Sequence, residues 1–175
     1  SEATYKRLSQ ETERLLNKAE LDLEKYKTTK NEGIKTKELE EYEKKYDLRP
    51  GMGLAFPQLG LSKRIIIIVH EYEDGKFDNY VVINPKIVSN SEEIIAAEAG
   101  EGCLSVNRDV EGHVPRFARV TVEGYDENGN KIRIRAREEL SIAFQHEIDH
   151  LNGILFFDRI NKKKPFYSEN EIRLI

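Results

Sequence analysis

The segment Glu138–Leu151 constrains the fold more than any other. It contains no Gly or Pro, and Gly153 follows it as a stop signal. Leu140, Phe144, Ile148 and Leu151 are spaced four, four and three apart, so they share one face of a helix. Ile142, Ala143, His146 and His150 fall on roughly the opposite side. A helix that is apolar or site-forming on two faces is predicted to lie inside its domain, not on the surface.

The rest of the second half reads as β-structure that could enclose such a helix. Helical periodicity stops at Arg49-Pro50-Gly51-Met52-Gly53. Arg64 to His70 contains the unbroken β-branched run Ile65–Val69, which predicts a strand buried on both faces. Asp74-Gly75 marks a turn, and Tyr80 to Val88 returns. Arg119–Tyr125 and Lys131–Arg137 alternate apolar and polar side chains around Asn128-Gly129, a strong hairpin signal. The expected class is α+β: antiparallel or mixed β-sheets packed around a central helix.

Upstream, Leu8, Leu15, Leu16, Leu21 and Leu23 predict an amphipathic helix over residues 5–27. Thr28 to Glu43 is almost entirely charged or polar, with a break at Gly33, and a second short helix is expected from Lys35 to Tyr46. A length of 175 residues suits one domain. Its parts are an N-terminal helical region (1–48), a core (49–160) and a tail (161–175).

Charged residues make up 34% of the chain, yet the net charge is only −4, so composition makes no case for a nucleic-acid or membrane-surface protein. The longest apolar run falls far short of the ~20 residues a spanning helix needs. Ser1-Glu2-Ala3-Thr4 carries no secretory pattern. A single cysteine, Cys103, precludes an intrachain disulfide, and a reducing cytosol is the expected setting.

The predicted helix carries His146-Glu147-Ile148-Asp149-His150, half of the four histidines in the chain. Residues i and i+4 sit one turn apart on one face, so both imidazoles can bind one metal ion, with Glu147 beside them to take a proton from water. A hydrolytic site wants three protein ligands and one open position. The protease pattern with a third His six residues on is excluded, because that position is Phe156. Glu169 or Glu171 could serve, as in another protease class, but both sit in a polar tail. Cys103 is the better candidate. It lies in Gly100-Glu101-Gly102-Cys103-Leu104-Ser105, where glycines permit close approach of the backbone, and a thiolate completes a Cys-His-His set. Gly51 to Gln58 is glycine-rich but lacks the third Gly or the Gly-Lys-Ser/Thr of nucleotide loops. It could present backbone groups to a peptide and an amide N–H to an oxyanion.

Together GMGLAFPQ (51–58), EGCLS (101–105) and HEIDH (146–150) resemble the peptide deformylase family, in order and approximate spacing. VPR (114–116) and LNGILFFDR (151–159) extend the likeness, and the long segment before the first motif resembles the Gram-positive, type II subtype. Phe56 stands where the family has a small Ala. The family's opening strand is not recognisable at the start of the sequence, which fits a chain that begins inside the domain.

The resemblance implies removal of the formyl group from the N-terminal formylmethionine of nascent polypeptides, in the bacterial cytoplasm and at the ribosome, by a monomer. It implies Fe2+ as the working ion, with Zn2+, Ni2+ or Co2+ able to replace it. It also implies roles for particular residues. Cys103, His146 and His150 would hold the metal, and Glu147 would move the proton. The Gln58 side chain and the Leu104 backbone N–H would stabilise the oxyanion. Met52, Gly53, Gly102, Ile142 and Ala143 would contact substrate, and Glu101 would pair with Arg116 to steady the Cys103 loop.

Overall fold

Alternating side chains lay down one antiparallel sheet in the order β1-β2-β3-β6-β7. Its strands are β1 (Gly53–Ala55), β2 (Ile65–Glu73), β3 (Lys76–Asn90), β6 (Arg119–Tyr125) and β7 (Lys131–Arg137). A second, mixed sheet has the order β5-β4-β8, from β4 (Ile94–Ala96), β5 (Arg116–Phe117) and β8 (Arg173–Leu174), with β8 parallel to β4. Among the described residues a single α-helix, α1 (Glu138–Leu151), packs on the first sheet. The computed structural model describes residues 52–73, 76–103, 105–168 and 171–175, all within the unit Arg49–Ile175. The expected N-terminal helices, the Asp74-Gly75 turn, Gly51, Leu104 and Glu169 lie outside the described residues.

The core forms where the inward residues of the strands meet α1. Ala55, Ile66, Ile68, Val82, Val120, Val122 and Ala136 pack against Leu140, Ala143, Phe144 and Ile148. Each fully buried large aliphatic or aromatic side chain contributes roughly 1.5–3 kcal/mol. The strand over the isoleucine run departs from expectation. Ile66 and Ile68 are fully buried, but Ile65, Ile67 and Val69 are only half-buried. Alternate residues of a strand point to opposite faces, and α1 covers only one of them.

The chain passes from β7 into α1 with no linker. Glu138 makes the turn in the left-handed region (φ 54°), its N–H donating to the Ala118 carbonyl at 2.9 Å. Arg173, from β8, grips the Glu138 carboxylate with two hydrogen bonds of 2.7 and 2.8 Å. At the other end Gly153 (φ 72°) turns the chain away, and the Arg64 guanidinium donates to the Leu151 carbonyl at 3.0 Å. The helix is thus fixed at both ends, and its last two turns carry His146, Glu147, Asp149 and His150.

Candidate metal centre and active site

Three donor atoms converge at the C-terminal end of α1. The Cys103 Sγ lies 3.2 Å from His150 Nε2, which lies 3.2 Å from His146 Nε2, and all three donors fall within 4.8 Å of one another. Bonds of about 2.1 Å to a tetrahedral ion would place its donors about 3.4 Å apart, so the set fits a single ion. The protein also prepares these donors. His146 Nδ1–H donates to Glu101 Oε2 at 2.8 Å, which turns Nε2 toward the centre. Burial would raise the Cys103 thiol, but hydrogen bonds with His146, His150 and the Ser105 N–H outweigh it and hold the thiol at about 5. Burial would lower His146, and its contacts with Cys103 and Glu101 instead raise it to about 9. The cysteine is therefore a thiolate at neutral pH, the form that ligates metals.

Glu147 stands beside the donors and is 4% exposed. Burial pushes its carboxyl up to about 7, against the opposing pull of the two histidines. Its Oε2 is buried and has no hydrogen-bond partner, as expected of a group kept free to exchange a proton. Room for it comes from Gly53: a Cβ there would stand 2.5 Å from Glu147 Oε1 and 2.7 Å from Cγ.

Gln58 is the third residue of a 3₁₀ turn, Phe56–Leu59, directly after β1. Its Oε1 accepts the Ala55 N–H at 2.8 Å, so its amide NH2 must face the other way. That NH2 donates to Ser105 Oγ at 3.0 Å and lies 3.9 Å from Cys103 Sγ. Phe56, the departure from the family loop, is buried and anchors this turn.

Arg116, 2% exposed, clamps Glu101 with two hydrogen bonds of 2.8 and 2.9 Å and donates to Asp149 Oδ2 at 2.6 Å. Burial alone would lower its pKa, but the two carboxylates hold it above its ordinary value. They also keep Arg116 from being an unpaired buried charge. Arg159, from the 3₁₀ turn Phe156–Arg159, closes on the same Asp149 carboxylate. A continuous path therefore runs Arg159–Asp149–Arg116–Glu101–His146.

Sequence reasoning passed over Asp149, Arg159 and Ser105. A carboxylate between two histidines on a two-faced helix was the available signal, since such a charge must find a partner. Phe156, whose place in the sequence excludes a protease class, stacks on His146 with ring centroids 6.3 Å apart.

The substrate residues separate. The Met52 carbonyl accepts the Val69 N–H at 2.8 Å, so that carbonyl is engaged by β2. Antiparallel alternation then turns the Gly53 backbone to the far edge of β1, beside which no further strand lies among the described residues. Gly102 is exposed beside Cys103, and Ile142 is half-buried on α1. Ala143 belongs to the core cluster. The Glu171 carboxylate is bound by Lys164 and Ser168, which removes it as a metal ligand.

A family model described as polypeptide deformylase matches residues 6–166. The chain belongs to the polypeptide deformylase family. It is 51% identical over 133 residues to the peptide deformylase of Oceanobacillus iheyensis, covering 76% of this chain and 73% of that protein. It is 47% identical over 144 residues to peptide deformylase 2 of Bacillus subtilis, covering 82% and 78%. These relatives agree with the expected type II subtype. Among solved structures, the Met-Ala-Ser-bound class I type b peptide deformylase of Acinetobacter baumannii superimposes with a TM-score of 0.55. It is 37% identical, over 63% of this chain and 70% of that one. The enzyme is a metal-dependent hydrolase whose family reaction takes the formyl group from the N-terminus of new polypeptides. Among the described residues, no helix is long and apolar enough to cross a membrane.

Proposed function

We propose that this chain deformylates N-formylmethionyl peptides at the centre formed by Cys103, His146 and His150, with Glu147 as the proton carrier. The observation that carries this reading is the buried Glu147 carboxyl, with its Oε2 unpartnered, beside three converging metal donors. A divalent ion in that position supplies Lewis-acid chemistry, making water acidic enough to lose its proton near neutral pH. Glu147, poised at about 7, takes that proton and returns it to the leaving amine. The Gln58 NH2 donates to the oxyanion that develops on the formyl carbon, held in direction by the Ala55 N–H on its carbonyl. The Leu104 N–H is assigned as a second donor by analogy with the family motif. Gly53, on the edge of β1 that no described strand covers, pairs with the substrate backbone as an added strand would. Gly102 and Ile142 border the bound methionine. Arg116 holds Glu101 and, through it, the orientation of His146.

Fe2+ is the proposed ion, with Zn2+, Ni2+ or Co2+ able to take its place; the mixed thiolate–imidazole set suits all four. The proposed setting is the bacterial cytoplasm, with a monomer meeting formylated chains at the ribosome. The test is a deformylation assay on formyl-Met-Ala-Ser with metal analysis of anaerobically purified protein. Glu147→Ala should retain one ion and lose nearly all turnover, whereas Cys103→Ala should lose the ion. An active Glu147→Ala enzyme would remove the proton-carrier role.

A further inference from the structure

The chain is acidic overall, at −4, but its charge is unevenly placed. β7 reads Lys-Ile-Arg-Ile-Arg-Ala-Arg, and its pleat sorts the residues completely. Ile132, Ile134 and Ala136 face the core, while Lys131, Arg133, Arg135 and Arg137 are all exposed on the outer face. Side chains two residues apart on a strand are about 6.8 Å apart, so the four cations form a straight row about 20 Å long. Arg119, on the neighbouring β6, stands directly across from Arg137 and widens the row at that end.

Lys131 and Arg133 reach Glu123 at 3.2 and 3.7 Å, and Arg119 reaches Glu93 at 2.9 Å. The three cations are 57–67% exposed, so these pairs are weak and exchangeable. Among the described residues, neither the Arg135 nor the Arg137 guanidinium takes part in an ion pair, and the nearby Glu138 is held by Arg173. A shallow cleft of about 260 Å³ is lined by Arg119, Arg135 and Arg137 together with Ser89 and Thr121. At the opposite end of the row, across from Lys131, the Tyr125 ring is 45% exposed.

We propose that the outer face of β6 and β7 binds single-stranded RNA through its phosphodiester backbone. A row of fixed cations at regular spacing complements a polymer of regularly spaced phosphates. Guanidiniums supply the planar fork that phosphate oxygens accept. Hydroxyls in the cleft add donors to phosphate and sugar, and the exposed tyrosine at the end of the row gives a base a surface to stack on. A membrane-binding face would carry apolar side chains among its cations for insertion; here the apolar residues of β7 face the core instead. Recognition rests on charge and stacking, so the face reads no particular sequence. The deformylation site does not depend on it.

The test uses the full metal-loaded chain and a fluorescent oligouridylate of about 20 nucleotides, followed by anisotropy across a salt series. Binding should be tight at low salt and fall with a log–log slope of about −3, as four neutralised phosphates predict. Arg135→Glu/Arg137→Glu should weaken binding at least ~10-fold and flatten the slope, with unchanged melting temperature and formyl-peptide turnover. Tyr125→Ala should weaken binding to the single strand but not to a duplex. The proposal is overturned by three results: no binding at low salt, double-variant binding equal to the parent, or arginine-dependent binding to phosphatidylserine vesicles without binding to RNA.

Discussion

Gly53 and Glu147 are coupled by the space one leaves for the other. In Gly53→Ala the new methyl would collide with the carboxylate and with Cγ behind it, so the whole side chain would have to move. A displacement of about 1 Å at a catalytic group can lower the rate about 100-fold. We expect such a loss in kcat with the metal retained, and a variant of undiminished kcat would mean that Glu147 need not stand where it does. The buried carboxyl also leaves a signature in stability. Its folded pKa, about 7, lies above the ordinary carboxylate range. Its contribution to stability is therefore full below pH ~4.5 and is lost as the pH rises through 7. In metal-free protein, Glu147→Gln should gain stability relative to the parent between pH 5 and pH 8, by at most about 1.4 kcal/mol per pH unit. Urea titrations at both pH values measure this, and a constant difference would show that burial does not hold the proton.

Between elements the main connection is the Arg116 guanidinium, which joins β5 to the Cys103 loop and to α1. Arg116→Met keeps most of the volume but leaves Glu101 and Asp149 buried without their shared partner. Removing one member of a buried charge cluster typically costs about 3–5 kcal/mol, and a urea midpoint should fall accordingly. A shift under about 1 kcal/mol would show that Arg159 alone satisfies Asp149.

At this scale the sequence was legible where its signals were local. The α1 segment is marked by four-residue spacing and a following glycine, and the β6–β7 hairpin by Asn128-Gly129. Two of the three candidate metal donors were legible because they share a helix face. The second sheet left no such mark: β4, β5 and β8 are two or three residues each and pair across long separations. Asp149 and Arg159 meet only because the chain turns back at Gly153, so neither residue type announced the pair. The isoleucine run misled for a related reason, since β-branched composition records strand preference but not how many faces are covered.

For the molecule as a whole, the metal donors tie together segments that the chain keeps far apart. An ion bound only by the folded state adds stability that grows with its concentration, about 4 kcal/mol at a thousand times its dissociation constant. Chelation should therefore lower the melting temperature by several degrees, and Cys103→Ala should melt at the same temperature with or without added metal. A parent protein whose melting ignores the chelator would show that the three donors do not hold an ion. The same arrangement governs the order of assembly. Cys103 and His150 meet across 47 residues of chain, with the β6–β7 hairpin and most of α1 between them in sequence. Such long-range contacts form late, because loop entropy is lost before any contact compensates it. We therefore expect the complete three-donor site, and activity with it, to appear only after the rest of the fold has formed; a refolding time course in which turnover rises together with the earliest helical signal would contradict this.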